Sequence, residues 1–285
     1  MDLDETGCVL HERRALIGRI EATWALDAVA FAAVLSQQDP SWGSKAFPLG
    51  GGHLVLCGHG LYVNRALAFG IDQPVTADDF AELETRTTQI GLEPAIEVMP
   101  TSHDSVGRIA GQRGYRLDNF RTAHVRSLDD HDVGAPDPSI VIDRADSSLL
   151  GTWLETTAVG WGHTTVDARR ASDAFSRAAA VIDRQGFLLA SDATDGRPLG
   201  TASLTIRDGL ATLGGMSTLP SERRRGVQQA LIRHRLGLAR DAGCEVATSS
   251  TVPGGGSERN LTRAGFRPLY DKATLVRSSG AESPA

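Results

Sequence analysis

The spacing of apolar and polar residues breaks the chain at one place. Leu128 to Asp137 carries Asp129, Asp130, Asp132, Gly134 and Pro136 with little apolar content, and Pro138 follows directly. This reads as a linker at 128–137 between domains at 1–127 and 138–278, with a flexible tail at 279–285. Beyond the linker, Ser139-Ile140-Val141-Ile142 reads as a strand, and Asp146 is placed to cap a helix through Leu149, Leu150 and Leu154. A helix over Asp167–Ile182 comes next. Gly186–Ala190, Gly200–Ile206 and Ala211–Ser217 then form three strand-like runs between turn residues. Val227, Ala230, Leu231 and Leu238 recur at helical spacing, and Ala242-Gly243 ends that helix. Cys244–Thr248 reads as a strand, Gly256–Ala264 as a short helix and Phe266–Val276 as terminal strands. The order β-α-α-β-β-β-α-β-α-β is mixed α/β.

The first half ends in a similar pattern: Ile96-Glu97-Val98 as a strand, Pro100, a helix over Asp104–Gln112, then Gly114-Tyr115-Arg116 and a strand ending at Val125-Arg126-Ser127. Gly265 minus Gly114 is an offset of 151, and the same offset carries Arg116 to Arg267, Val125 to Val276, Arg126 to Arg277 and Ser127 to Ser278. A duplicated domain is the expectation. The length of 285 residues agrees, since single domains cluster near about 100–150 residues.

Composition narrows the function classes. Hydrophobic residues at 41% and charged residues at 22% fit an ordinary globular chain. A net charge of −6 excludes a general nucleic-acid binder, so any basic site must be local. Cys8, Cys57 and Cys244 are too few and too scattered for a disulfide framework or a zinc cluster, which makes the reducing cytoplasm the default compartment and a metal unexpected. The apolar run Trp24–Leu35 follows Arg13, Arg14 and Arg19, but Asp27 interrupts it. It falls well short of the ~20 residues of a membrane span and reads as a buried helix.

The chemistry gathers at Met216-Ser217-Thr218-Leu219-Pro220-Ser221-Glu222-Arg223-Arg224-Arg225-Gly226-Val227-Gln228-Gln229-Ala230, between a strand and a helix. A turn there leaves backbone N–H groups unpaired at a helix N-terminus, where the helix dipole favours an anion such as a pyrophosphate. Gly226 permits close approach of the backbone, and Arg224 or Arg225 adds charge-assisted contacts. The chain has no G-x-x-x-x-G-K-[ST] motif, which removes the usual nucleotide-triphosphatase reading.

These residues resemble the GNAT family of N-acetyltransferases, whose CoA loop reads [QR]-x-x-G-x-[GA] after a strand and before a helix. Arg223 and Gly226 match, and Gln228 stands where Gly or Ala is usual. The resemblance implies two GNAT-like domains, each a mixed central sheet flanked by helices, as in tandem GNAT proteins. It implies acetyl-CoA as co-substrate and no metal. Cofactor-binding residues would be Met216, Ser217, Thr218 and Leu219 along the pantetheine arm, and Arg224, Arg225, Gly226, Val227, Gln228, Gln229 and Ala230 at the phosphates. Ser257 and Asn260 on the following helix are candidates for the pantetheine amides. The family's usual Tyr acid is replaced by Leu261, which leaves Tyr270 as the nearest phenol and the candidate catalytic residue. Glu155, His163 and Asp167 are candidate bases near the acceptor loop, which Trp161 would line.

In the first half the equivalent junction is Phe69 to Phe80. Thr76 is a ready N-cap, and Asp78 and Asp79 would repel phosphate, so that half is expected to lack cofactor binding. Two functions stay open: an enzyme acetylating a primary amine on a small molecule or protein, or a non-catalytic acetyl-CoA-binding regulatory protein. Nucleic-acid binding through Arg223, Arg224, Arg225, Arg233 and Arg235 is disfavoured by the acidic chain and by the lack of interleaved aromatics. No membrane partner is expected, and the pattern leaves oligomeric state open.

Overall fold

The computed structural model describes residues 3–128, 137–182 and 185–278. Most of the expected linker and the expected tail at 279–285 lie outside them. The chain forms two compact units, and their composition departs from the linear division at 128–137. One unit comprises residues 1–122 with 269–285, the other residues 123–268. The division falls inside two strands, β5 (Arg116–Ser127) and β11 (Arg267–Val276). The end of β5 therefore belongs to the second unit, and most of β11 belongs to the first. Lateral hydrogen bonds, not chain order, decide which unit a strand belongs to.

The first unit opens with a long helix, α1 (Leu3–Gln38), which contains the apolar run read from the sequence and buries Ile17, Ile20, Phe31 and Leu35. Strands β1 (Lys45–Leu49), β2 (Gly52–Leu56) and β3 (Arg65–Leu67) follow. After them come α2 (Ala77–Thr88), β4 (Ala95–Val98) and α3 (Asp104–Gln112), the last with the bounds that the sequence predicts. β1, β2 and β3 pair antiparallel in turn, β3 and β4 are parallel, and β11 lies antiparallel to β4 from Ala273↔Val98 to Val276↔Ala95. Leu54, Phe69, Phe80, Leu83, Ile96 and Val106 form the core, with Phe80 edge-on to Phe69 at 5.4 Å and to Tyr115 at 5.5 Å.

The second unit runs β6 (Ile140–Arg144), α4 (Leu150–Trp161), α5 (Val166–Ala180), β7 (Gln185–Asp192), β8 (Pro198–Arg207) and β9 (Leu210–Thr218). It continues with α6 (Val227–Asp241), β10 (Val246–Thr251) and α7 (Gly256–Arg263). This is the expected order, except that the terminal segment is one strand, β11, rather than several. β6, β7, β8 and β9 are antiparallel, and β9 and β10 are parallel. The end of β5 completes this unit: Leu128 N–H donates to Glu245 O at 2.9 Å, and Thr248 Oγ1 donates to His124 O at 2.9 Å. The apolar stripe of α6 packs on one face of the sheet, where Ile232, Leu236 and Ala239 meet Leu213, Ala247 and Phe266. The offset of 151 holds at this level: it carries Ala95, the first residue of β4, to Val246, the first of β10.

Candidate acyl-transfer site

Two irregularities of β9 shape the site. Its pairing with β8 passes from Ser203↔Gly214 to Thr201↔Ser217, so β9 holds one extra residue in a bulge at Gly215 and Met216. Gly215 has φ +53°, and a Cβ there would meet Ser203 Oγ at 2.7 Å. The second irregularity is on the other edge. Pairing with β10 ends at Thr212↔Thr248, whereas β9 continues to Thr218 and β10 to Thr251. The two parallel strands part there, leaving an edge of β9 to which an extended chain can add.

Helix α4 presses on β9 from the face opposite α6. A buried hydroxyl chain joins Thr157 to Thr201 and Thr201 to Ser217, each step 2.8 Å. Gly160 makes the approach possible, since a Cβ there would come within 2.7 Å of Ser217 Oγ. Trp161 ends the helix with its Nε1–H donating to Met216 O at 3.1 Å, and its ring meets His163 edge-on at 5.6 Å. An open cleft of about 550 Å³ runs along α4, lined by Thr152, Glu155, Thr156 and Val159 with Pro198 and Leu219. Leu219 N–H is already used by Leu199 O at 3.0 Å, so of the expected Met216–Leu219 donors this one is not available to a ligand.

After β9 the chain makes a 3-10 turn at Pro220–Glu222 and reaches α6 through two left-handed residues, Arg224 at φ +64° and Gly226 at φ +79°. Gly226 is the N-cap of α6 and supplies no side chain to it, and no acidic residue occupies the first turn. The first N–H groups of the helix are therefore left for another acceptor. Val227 and Ala230 are buried and anchor the helix to the sheet.

The arginines divide by role. Arg225 donates to Asp192 at 2.9 Å and also to Glu222, and Arg197 bridges the same two carboxylates at 3.1 and 3.5 Å. Arg225, chiefly, holds the Asp192 carboxyl down to about 2, well below its ordinary value. Arg225, expected at the phosphates, has its charge balanced within the protein, where it shapes the loop. Arg224 and Arg223 are exposed and have no side-chain partner among the described residues. Asp137 lies opposite, its Oδ2 3.8 Å from the place a Cβ on residue 226 would take, and its hydrogen bonds from Ser139 keep it charged. That carboxylate opposes part of the positive potential at the helix end.

Gln228 and Asn260 meet as a clasp between α6 and α7. Asn260 Nδ2 donates to Gln228 Oε1, and Gln229 Nε2 donates to Asn260 O at 2.8 Å. The long side chain at the position where the GNAT pattern has Gly or Ala is thereby drawn sideways toward α7. Ser257 stands exposed in the first turn of α7.

The candidate acid and bases fare differently. Leu261 is 2% exposed within the apolar core, so the usual acid position is a packing position here. Tyr270 is not open to a cleft. Its side chain belongs to the first unit, is 5% exposed, and donates its hydroxyl proton to Glu21 on α1. Burial is the main reason that its phenol is pushed far above its ordinary value. Tyr270 is accordingly not carried forward as the acid. Glu155 is ion-paired with Arg169, whose hydrogen bonds lower its pKa and make it a weaker base. Asp167 lies exposed in the first turn of α5. His163 alone of the three contacts the ring that is bonded to β9.

Arg235 is a further residue of the site, one that the loop motif does not include. Its place four residues after Leu231 and eight after Val227 puts it on the apolar face of α6, a signal present in the spacing. The structure removes it from the surface cluster Arg223–Arg235 altogether, since it is 1% exposed.

Comparison with known proteins identifies the segment. Residues 137–266 match the model of the acetyltransferase (GNAT) family, which covers the bulged strand, the left-handed loop and α6. This part of the chain is a GNAT domain. A search of curated protein sequences finds no relative. Among solved structures, a GCN5-related N-acetyltransferase from Kribbella flavida has 17% identity and a TM-score of 0.63, over 87% of this chain and 96% of that one. A tandem GNAT protein from the clavulanic acid biosynthesis pathway has 13% identity and a TM-score of 0.59, over 81% and 79%. A GCN5-related N-acetyltransferase from Sphaerobacter thermophilus has 19% identity and a TM-score of 0.51, over 65% and 59%. At these identities the likeness is one of fold. Among the described residues no helix is long and apolar enough to cross a membrane, and no group of three His, Cys, Asp or Glu residues is placed to hold a metal.

Proposed function

We propose that the second unit binds acetyl-CoA and transfers its acetyl group to a primary amine. The observation that carries this reading is the parting of β9 from β10 beside a bulge, with a glycine-capped helix at the end of the same strand, inside the GNAT segment. The residues fit the co-substrate. The free N–H groups at the start of α6 and the unpartnered Arg224 would hold the pyrophosphate, and the free edge of β9 would take the pantetheine amides. Acetyl-CoA supplies an activated acyl carbon with a thiol leaving group.

The chain's part is orientation and charge. Backbone N–H groups around Met216 are fixed by the bulge and face the place where negative charge develops on the thioester oxygen, which favours the transition state over the ground state. As the amine nitrogen forms its bond to the acyl carbon, the carbon–sulfur bond breaks. The amine gives up one proton, and the thiolate takes one up. With Leu261 buried, solvent supplies the latter proton, while His163 or a water beside it accepts the former. The acceptor carries an amine and is a small molecule or a protein segment. Nucleic acid does not fit the acidic chain, and a cytoplasmic site of action agrees with Cys57 and Cys244, which are buried and in no disulfide.

A second reading, a non-catalytic acetyl-CoA sensor, draws on the burial of Leu261 at the acid position. Calorimetric titration with acetyl-CoA, followed by thiol release on a panel of amines, separates the two. One site per chain with amine-dependent thiol release is expected. Binding with no release on any amine selects the sensor, and no binding refutes both.

A further inference from the structure

Arg235 on α6 is the most deeply buried cation of the second unit and lies directly beneath the β9 bulge. Its Nε–H donates to Leu231 O at 3.1 Å, and Nη1 donates to Ser203 O at 3.0 Å and to Gly214 O at 3.1 Å. Nη2 points at Met216 Sδ, 3.1 Å away. No carboxylate pairs with it among the described residues, and burial alone draws its pKa down to about 9, which leaves it cationic at neutral pH. A buried cation without a counter-charge opposes folding, and an apolar side chain would pack among Ile232 and Leu236 without that cost. A reason for the charge is therefore to be sought in what it touches.

The two carbonyls under its fork belong to Ser203 and Gly214, the register pair at which the bulge begins. Both accept from Nη1, while Nε and Nη2 of the same planar group reach Leu231 O and Met216 Sδ, a set of four contacts that the three donors of a lysine ammonium cannot match. From the other face of the sheet, Trp161 holds the Met216 carbonyl. The extra residue of β9 is thus fastened from both sides, with a positive charge under it.

We infer that Arg235 is a positioning residue for acyl transfer, locking the bulge so that the N–H groups near Met216 stay aimed at the thioester carbonyl while its unpaired charge raises the potential there. This rests on the acetyl-CoA reading above. Arg235 moves no proton and forms no bond to the reacting atoms. Its effect is transmitted through the backbone that it holds and through its field, which acts strongly in a dry interior.

The test uses acetyl-CoA carrying ¹³C at the carbonyl and the full-length protein. In the wild type the bound carbonyl stretch is expected at lower frequency than in free acetyl-CoA. Arg235→Met should lose about half or more of that shift while its affinity changes by no more than about threefold, and its kcat should fall by about 10²-fold, as when one oxyanion donor is lost. Arg235→Lys keeps the charge without the fork and should fall between the two. An Arg235→Met protein that binds acetyl-CoA with the wild-type band and wild-type kcat overturns the role. Should circular dichroism show that Arg235→Met does not fold, Arg235→Lys decides: a band and kcat equal to wild type overturn the proposal, and intermediate values support it. A wild type that binds no acetyl-CoA overturns the underlying reading and this role together, whereas equal bands in binding-competent variants overturn the role alone.

Discussion

In the first unit β3 hands over to α2 through Ala68–Thr76, and in the second β9 hands over to α6 through Leu219–Gly226. Thr76 closes the first helix with a capping box: its hydroxyl accepts from Asp79 N–H at 3.2 Å, and the Asp79 carboxylate accepts from Thr76 N–H at 2.7 Å. Asp78 and Asp79 sit in that first turn, against the positive end of the dipole. Gly226 closes the second helix with nothing, and its first turn has no acid. The same step of the same fold thus ends in a self-satisfied helix on one side and in exposed donors on the other. A helix N-terminus is an anion site only while its own sequence leaves it vacant.

The sharpest break of this contrast is Gly226→Val. A left-handed φ of +79° costs a non-glycine residue about 1–2 kcal/mol, and a branched side chain would also stand in the path of the phosphates. Acetyl-CoA affinity is expected to fall by at least about 10²-fold, equivalent to about 2.8 kcal/mol, in calorimetric titration. An unchanged affinity would mean that the phosphates lie elsewhere, and the comparison between the two junctions would lose its point.

The elements were largely legible because their local signals agree. Asp104–Gln112 has both caps and a clear apolar stripe, and its bounds match the spacing. Thr76 and Gly226 could be read because capping is decided within four residues. What could not be read is lateral. β11 reads as the last strand of the second half, but it pairs with β4 of the first unit, a choice made by hydrogen bonds across 175 residues between Ala273 and Val98. That exchange is why Tyr270, which follows the Gly265-Phe266-Arg267 turn in sequence, ends against Glu21. The bulge is equally lateral, because an extra residue exists only relative to the partner strand. Charge sign also misled: Arg225 and Arg235 read as surface cations, whereas one is held by Asp192 and Glu222 and the other is sealed under β9.

Thr76→Ala is the matching break on the first side. Losing the capping box should lower stability by about 1 kcal/mol in denaturant unfolding. Acetyl-CoA affinity should stay unchanged, and no second site should open, because Asp78 remains in the first turn. Appearance of a second CoA site in this variant would show that the cap alone separates the two junctions.

The smallest expected effect concerns how the second junction is held in place of a cap. Asp192, the last residue of β7, accepts from Arg225 at 2.9 Å, from Arg197 at 3.1 Å and from Thr194 N–H at 3.0 Å, and Arg225 is the largest cause of its lowered pKa of about 2. A carboxyl whose folded pKa lies below its unfolded value near 3.8 binds a proton more readily in the unfolded chain. Its stabilising contribution is therefore fully present above the unfolded value and is lost as pH falls through the window toward 2. Asp192→Asn should be slightly less stable than wild type at pH 6, and the deficit should shrink between pH 4 and pH 2. Because the two arginines of the cluster are partly exposed, added salt should also reduce the deficit, whereas the Thr76→Ala deficit, which comes from capping hydrogen bonds, should respond less. Denaturant unfolding of both variants across pH and salt checks this. A deficit for Asp192→Asn that is constant from pH 6 to pH 2 and insensitive to salt would mean that Asp192 acts through the turn's backbone hydrogen bond to Thr194, and that the loop before Gly226 owes its shape to Arg224 and Gly226 alone.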